Sequence, residues 1–195
     1  MCLFFGILSS SKWRKAIHQG GPLQRGQTSK TPNRHDVWHL DEVVVAIAGQ
    51  KHWLWRAVDQ DGYVLDEIVQ TRRNAKAAKR VLRRLLKRQG MTPKRIITDK
   101  LPSYRAAKRQ VMPGVDHWSH KSLNNRAENS HVPLRKRERV MQGFRSPGGL
   151  QRFVSVFAAV RNHFVPPNSR RSALALHLHR LTAMAEWKST ANLAA

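Results

Sequence analysis

Trp38-His39-Leu40-Asp41-Glu42-Val43-Val44-Val45-Ala46-Ile47-Ala48 is the stretch on which the fold turns. Its β-branched residues favour extended backbone. Val43, Val45 and Ile47 alternate with Val44, Ala46 and Ala48, so both faces of the strand are apolar. Such a strand belongs in the middle of a sheet covered on two sides. A carboxylate inside it is therefore informative: unpaired, Asp41 costs several kcal/mol or keeps its proton. Glu42 points to the opposite face by the alternation of a strand, and is expected not to share a site with Asp41.

Outward from this strand, Gly49-Gln50-Lys51 reads as a turn and 52–58 as a second strand. Asp59-Gln60-Asp61-Gly62 is a turn by composition and leads into a third strand over 63–69, completing an antiparallel meander. Asn74 can cap a helix that ends at Gly90, with Ala78, Val81, Leu82, Leu85 and Leu86 on one side and basic residues on the other. A short fourth strand over 95–98, a helix over 102–111 and a fifth strand over 115–119 follow. Asn125 opens a further helix that Pro133 interrupts, and 149–164 and 172–187 are helical segments separated by Pro166-Pro167. Three strands, helix, strand, helix, strand, helices is the order of a ribonuclease-H-like α/β domain, a mixed five-stranded sheet flanked by helices. The domain is expected over 35–190, behind a flexible leader over 1–34 that has no sustained periodicity.

The chain has 36 Lys and Arg against 12 Asp and Glu, a net charge of +24, with 41% hydrophobic residues. It can bury a core, so it is not composed like a disordered tail, and its charge calls for a polyanionic partner. The single cysteine, Cys2, excludes an internal disulfide and a cysteine-rich zinc site and fits a reducing cytoplasm. The apolar run over 2–8 is far shorter than the ~20 residues that cross a bilayer and has no basic residue ahead of it, so neither anchor nor signal is expected.

Three scarce acids stand where water is least available. Asp41 lies in the central strand, where a salt bridge to a basic side chain would equally account for it. Asp99 follows Ile96-Ile97-Thr98 at a strand's carboxyl end, the place where α/β sheets bind ligands, or serves as a turn or cap aspartate ahead of Pro102. Glu128 sits three residues past Asn125, where a glutamate can close a capping box, and His131 follows on the same helix face. If the first and fourth strands are neighbours and the Glu128 helix crosses their ends, the three acids converge. Their mutual repulsion is then relieved by hard divalent cations, Mg²⁺ first, and two such ions suit in-line displacement at phosphorus.

Trp38-His39-Leu40-Asp41-Glu42, Trp55-Arg56-Ala57-Val58-Asp59-Gln60-Asp61-Gly62, Ile97-Thr98-Asp99-Lys100 and Asn124-Asn125-Arg126-Ala127-Glu128-Asn129-Ser130-His131 together resemble the insertion-sequence-six family of DDE transposases. The similarity runs from about His35 to about Trp187. It implies a ribonuclease-H-like core in which Asp41, Asp99 and Glu128 are the catalytic acids and hold two Mg²⁺ ions, with Mn²⁺ as a substitute. It further implies DNA as partner, at both transposon ends and target, and a homo-oligomer in the active complex. Enzymes of this family nick the element's ends and join the freed 3′-hydroxyl to target DNA without a covalent enzyme intermediate. Full-length relatives carry a helix-turn-helix segment ahead of the catalytic domain. Residues 1–34 do not resemble it, so specific recognition of terminal repeats is not expected of them.

Arg72, Arg73, Lys100, Lys121, Arg126 and Arg135 are candidates for phosphate contacts, each equally readable as part of a solvated basic face. Trp53 and Trp55 share a strand face and read as core, with stacking on unpaired bases as the other use. Two further functions fit the residues: a DNA-binding protein without catalysis, and a nuclease of the same fold that hydrolyses but does not join.

Overall fold

The computed structural model describes residues 32–166 and 172–190. Residues 1–31, with Cys2, the apolar run over 2–8 and most of the expected leader, lie outside the described residues, as does Pro167. The strands are β1 (Val37–Ile47), β2 (Gln50–Asp59), β3 (Val64–Gln70), β4 (Arg95–Thr98) and β5 (Asp116–Ser119). The helices are α1 (Ala75–Gln89), α2 (Pro102–Val111), α3 (Asn125–Ser130), α4 (Val132–Val140), α5 (Pro147–Phe164) and α6 (Ala173–Thr190). The sheet order is β3-β2-β1-β4-β5, with β1, β2 and β3 antiparallel in sequence and β4 running parallel to both β1 and β5. This is the ribonuclease-H-like sheet, with β1 at its centre.

The chain divides into two compact units, Thr31–Ala158, which contains the sheet, and a second that includes Ala159–Ala195. In the sheet unit, side chains alternate across β1. Trp38 and Leu40 join Trp55, Ala57, Val81, Leu82, Leu85 and Tyr104 in a core on the α1 and α2 side. Val45 and Ile47 join Leu54, Leu134, Leu150 and Val154 on the other. Both faces are covered, which is why the run carries no polar alternation after Glu42. In the second unit, His163 Nε2 lies 2.8 Å from the Ala183 carbonyl oxygen, and Phe164 and Trp187 pack with ring centroids 6.3 Å apart.

Local chemistry sets the boundaries. The first hairpin turns at Ala48-Gly49, both with positive φ of 49° and 77°, between the paired Ile47 and Gln50. It is a two-residue turn whose twist suits antiparallel strands, one position earlier than composition suggested. Asp59 folds the second turn by accepting from the amides of Asp61 and Tyr63 at 2.8 and 2.9 Å. Asn74 Oδ1 accepts from the Ala77 amide at 3.0 Å, and Gly90, left-handed at φ 70°, ends α1. Pro133 stands in the first turn of α4, and so divides α3 from α4 as expected. Among the described residues no helix is long and apolar enough to cross a membrane.

Candidate active site at the carboxyl end of the fourth strand

The parallel pairing of β1 with β4 ends at Leu40 opposite Thr98, while β1 runs on to Ile47. Asp41 and Glu42 therefore occupy the two positions at which β1 loses its neighbour, and Asp99 is the first residue beyond β4. Strand ends of this kind form the crevice in which open α/β sheets bind ligands. The backbone of Asp99 is fixed from two sides, its carbonyl accepting from the hydroxyls of Thr98 at 2.8 Å and Ser119 at 2.9 Å. Its Oδ1 also accepts from the Leu101 amide at 3.0 Å, so the turn-aspartate and cluster readings hold together.

Carboxylate oxygens of Asp41, Glu42 and Asp99 lie within 4.8 Å of one another. The expectation that Glu42 cannot share the site of Asp41 is overturned. The two side chains still leave opposite faces of β1, Glu42 on the side of Leu40 and Tyr104. Past Thr98 the β4 edge of β1 is open, and at that edge the Glu42 carboxylate comes within 4.8 Å of those of Asp41 and Asp99. Two partners hold it there. The Tyr104 hydroxyl donates to Oε2 at 2.7 Å, and Arg73 Nε donates to Oε1 at 2.6 Å. Arg73 Nη2 also lies 3.2 Å from Asp99 Oδ2, and the guanidinium sits 5.0 Å from the centroid of the Trp53 ring.

The electrostatics follow from burial and like charge. Asp41 is raised from 3.8 to about 6, first by burial and then by the Asp99 charge, with Arg73 and Arg56 opposing. Glu42 is raised from 4.5 to about 7, chiefly by burial, against the hydrogen bonds of Tyr104 and Arg73. The buried Tyr104 hydroxyl is pushed well above its ordinary value by burial and by the facing Glu42. Water is scarce here and negative charge is crowded, which is the setting that a hard cation relieves.

The third expected acid is placed differently. Asn124, not Asn125, is the N-cap residue of α3, and it makes no side-chain capping bond. Its amide instead donates to the Leu40 carbonyl at 2.9 Å, tying α3 to β1 one residue before Asp41. Glu128 thus falls one position later in the helix than a capping box needs, so the alternative reading of it as a box glutamate does not fit. Glu128 is half-buried and outside the group of three acids that lie within 4.8 Å. His131, buried at the end of the same short helix, brings Nε2 to 3.3 Å from Asp41 Oδ2, and so contacts the site as well as covering it.

Of the phosphate-contact candidates, Arg73 is engaged by the acids. Arg135 donates to the Val44 carbonyl at 2.6 Å and to Glu138 at 2.9 Å. Arg72, Lys100 and Arg126 are exposed, and the side chain of Lys121 lies outside the described residues. Trp55 is core, edge-on to Tyr104 at 5.5 Å, whereas half-buried Trp53 lies under Arg73. Sequence reasoning missed Glu42 and Tyr104 as parts of the site. Adjacency to Asp41 was the one signal for Glu42, and no spacing marked Tyr104.

A family described as the DDE domain matches residues 35–165. The chain is 32% identical over 106 residues to the transposase for insertion sequence-like element IS431mec of Staphylococcus aureus, covering 52% of this chain and 47% of that protein. The transposase for insertion sequence element IS257 in transposon Tn4003, also of Staphylococcus aureus, matches to the same extent. The chain therefore spans about half the length of these curated relatives. In structure it is similar to a chain of the simian T-cell lymphotropic virus intasome in complex with the PP2A regulatory subunit B56 gamma, with TM-score 0.50 and 18% identity over 66% of this chain and 49% of that one.

Proposed function

Because this chain belongs to the insertion-sequence-six family of DDE transposases, through its DDE domain, we propose that it is the part that cleaves DNA at the ends of an insertion sequence and joins the freed 3′-hydroxyl to target DNA. The observation that carries this reading is the meeting of Asp41, Glu42 and Asp99 oxygens within 4.8 Å at the carboxyl end of β4. The donor set is all carboxylate, which suits Mg²⁺, with Mn²⁺ as a substitute, and the proton affinities of Asp41 and Glu42 are raised first by burial and further by the charge of Asp99, a penalty that a counterion relieves.

In this reading Asp41, Asp99 and Glu128 are the catalytic acids and hold the ions, with Glu42 beside them. Two divalent ions supply activation of the attacking oxygen and stabilisation of the leaving one in phosphoryl transfer. The chain's own residues set the frame. Asn124 anchors the start of α3, the helix that carries Glu128, on Leu40, and the His131 ring limits where the Asp41 carboxylate can turn. Tyr104 keeps Glu42 in the site. Arg73, lying over the Trp53 ring, balances the acids by pairing with Glu42 and Asp99. Lys100, Lys121, Arg126 and Arg72 hold the backbone of transposon-end and target DNA without reading sequence. A homo-oligomer brings two ends together.

Asp99→Asn tests the proposal in an assay of Mg²⁺-dependent nicking and joining of end-bearing DNA. The expected fall exceeds the roughly 100-fold typical of losing an outer-shell partner, and full retained joining would exclude this site. A second reading, DNA binding without catalysis, is favoured by one observation: Arg73 lies among the acids. It predicts salt-sensitive binding with no nicking at any metal concentration. Strand junctions among the products separate a transferase from a nuclease.

A further inference from the structure

Arg56 lies on β2 directly across the antiparallel register from Asp41, and it is 1% exposed. A guanidinium so buried costs several kcal/mol unless its charge and donors are met. Its Nε donates to Glu67 Oε1 at 2.7 Å, and Nη2 pairs with the same carboxylate, which is supplied by β3 from the opposing register position. The third nitrogen reaches away from the sheet. Nη1 donates to the backbone carbonyl of Ser130, the last residue of α3, and lies 3.5 Å from its hydroxyl oxygen. A helix end presents unsatisfied carbonyls and partial negative charge, which a cation in this position satisfies. The next residue is His131, 3.3 Å from Asp41, and two residues before Ser130 is Glu128.

Stability alone does not call for this arrangement. The neighbouring positions of β2 on the same face, Leu54 and Val58, are buried hydrophobics. Replacing a buried ion pair by apolar residues of similar volume is often neutral or stabilising. What an apolar pair cannot do is donate to the Ser130 carbonyl. With Asn124 bonded to Leu40 at one end of α3 and Arg56 bonded to Ser130 at the other, the helix is pinned at one end to β1, beside Asp41, and at the other to β2, the neighbouring strand.

We propose that Arg56, oriented by Glu67, is a positioning residue for strand cleavage: it fixes the carboxyl end of α3 over the sheet and so sets Glu128 and His131 against Asp41. The inference rests on the proposed function, in that it takes Glu128 and Asp41 to serve one site.

The test uses the full chain carrying Arg56→Met with Glu67→Leu, Arg56→Lys alone, and Asp99→Asn as control. Thermal midpoint, affinity for end-bearing DNA, Mn²⁺ affinity by electron paramagnetic resonance, and kcat and KM for nicking are measured for each. The paired apolar variant is expected to melt near the parent and to bind DNA as tightly. Its kcat and Mn²⁺ affinity fall at least about tenfold, the range of an outer-shell loss, with KM unchanged. Arg56→Lys keeps the charge beside Glu67 with fewer donors, so it recovers part of the loss. A folded paired variant with parental kcat and Mn²⁺ affinity overturns the proposal. If that variant does not fold, parental values in Arg56→Lys do the same. Parental nicking by Asp99→Asn, in contrast, overturns the proposed function itself.

Discussion

Glu42 and Asp41 are consecutive carboxylates whose proton affinities are both raised, to about 7 and about 6, by burial before any other cause. For Glu42 the ordinary value is 4.5, so between pH 4.5 and about 7 the folded chain keeps a proton that the unfolded chain has released. Stability from this residue is therefore present below that window and is lost as pH rises through it. Glu42→Gln, which carries no charge, is expected to unfold at a higher temperature than the parent above pH 7 in chelator. The gain is on the order of 3 kcal/mol at most, and the two chains converge toward pH 4.5. Scanning calorimetry across pH checks it, and a constant offset would show that Glu42 is not held in this state. Comparing the two chains cancels His39, whose pKa is lowered to about 4 by burial and whose slope has the opposite sign. Asp41 and Asp99 were legible as residues because acids are rare in this chain. Glu42 was not, because alternation along a strand describes side-chain direction and says nothing of where the neighbouring strand stops.

α1 shows how far an element can be read from its own residues. Asn74, Gly90 and the apolar positions between them are local signals, and the helix begins and ends where they place it. Asn74→Ala removes the acceptor for the Ala77 amide and is expected to cost about 1 kcal/mol, read as a lower denaturation midpoint with an unchanged slope. No change would mean that the cap is made by other groups. Asp66 adds a tertiary hold, its carboxylate taken by Arg84 at 2.7 Å and by Arg88. α3 is the counterexample. Asn124 and Asn125 are both good caps by composition, and what decided between them was the Leu40 carbonyl, a partner 84 residues away. A six-residue helix has little stability of its own, so its register is set by what it docks on.

At the scale of the whole molecule the charge of +24 makes a prediction that no single residue carries. Affinity for duplex DNA should fall linearly on logarithmic axes with salt, on the order of a thousandfold between about 50 and 200 mM. Fluorescence anisotropy measures this, and a flat salt response would remove the polyanion reading. The sequence by itself determined the element order, the central place of β1, the basic surface and the acids worth watching, because periodicity, caps and burial cost act within a few residues. The tertiary structure alone decided that β4 ends beside Leu40, that Glu42 meets Asp41 and Asp99 at that edge, that Arg73 and Tyr104 hold these acids, and that Arg56 reaches Ser130. The physical reason is that strand register and helix docking are settled by contacts between residues tens of positions apart, whose energies do not appear in any local stretch of the chain.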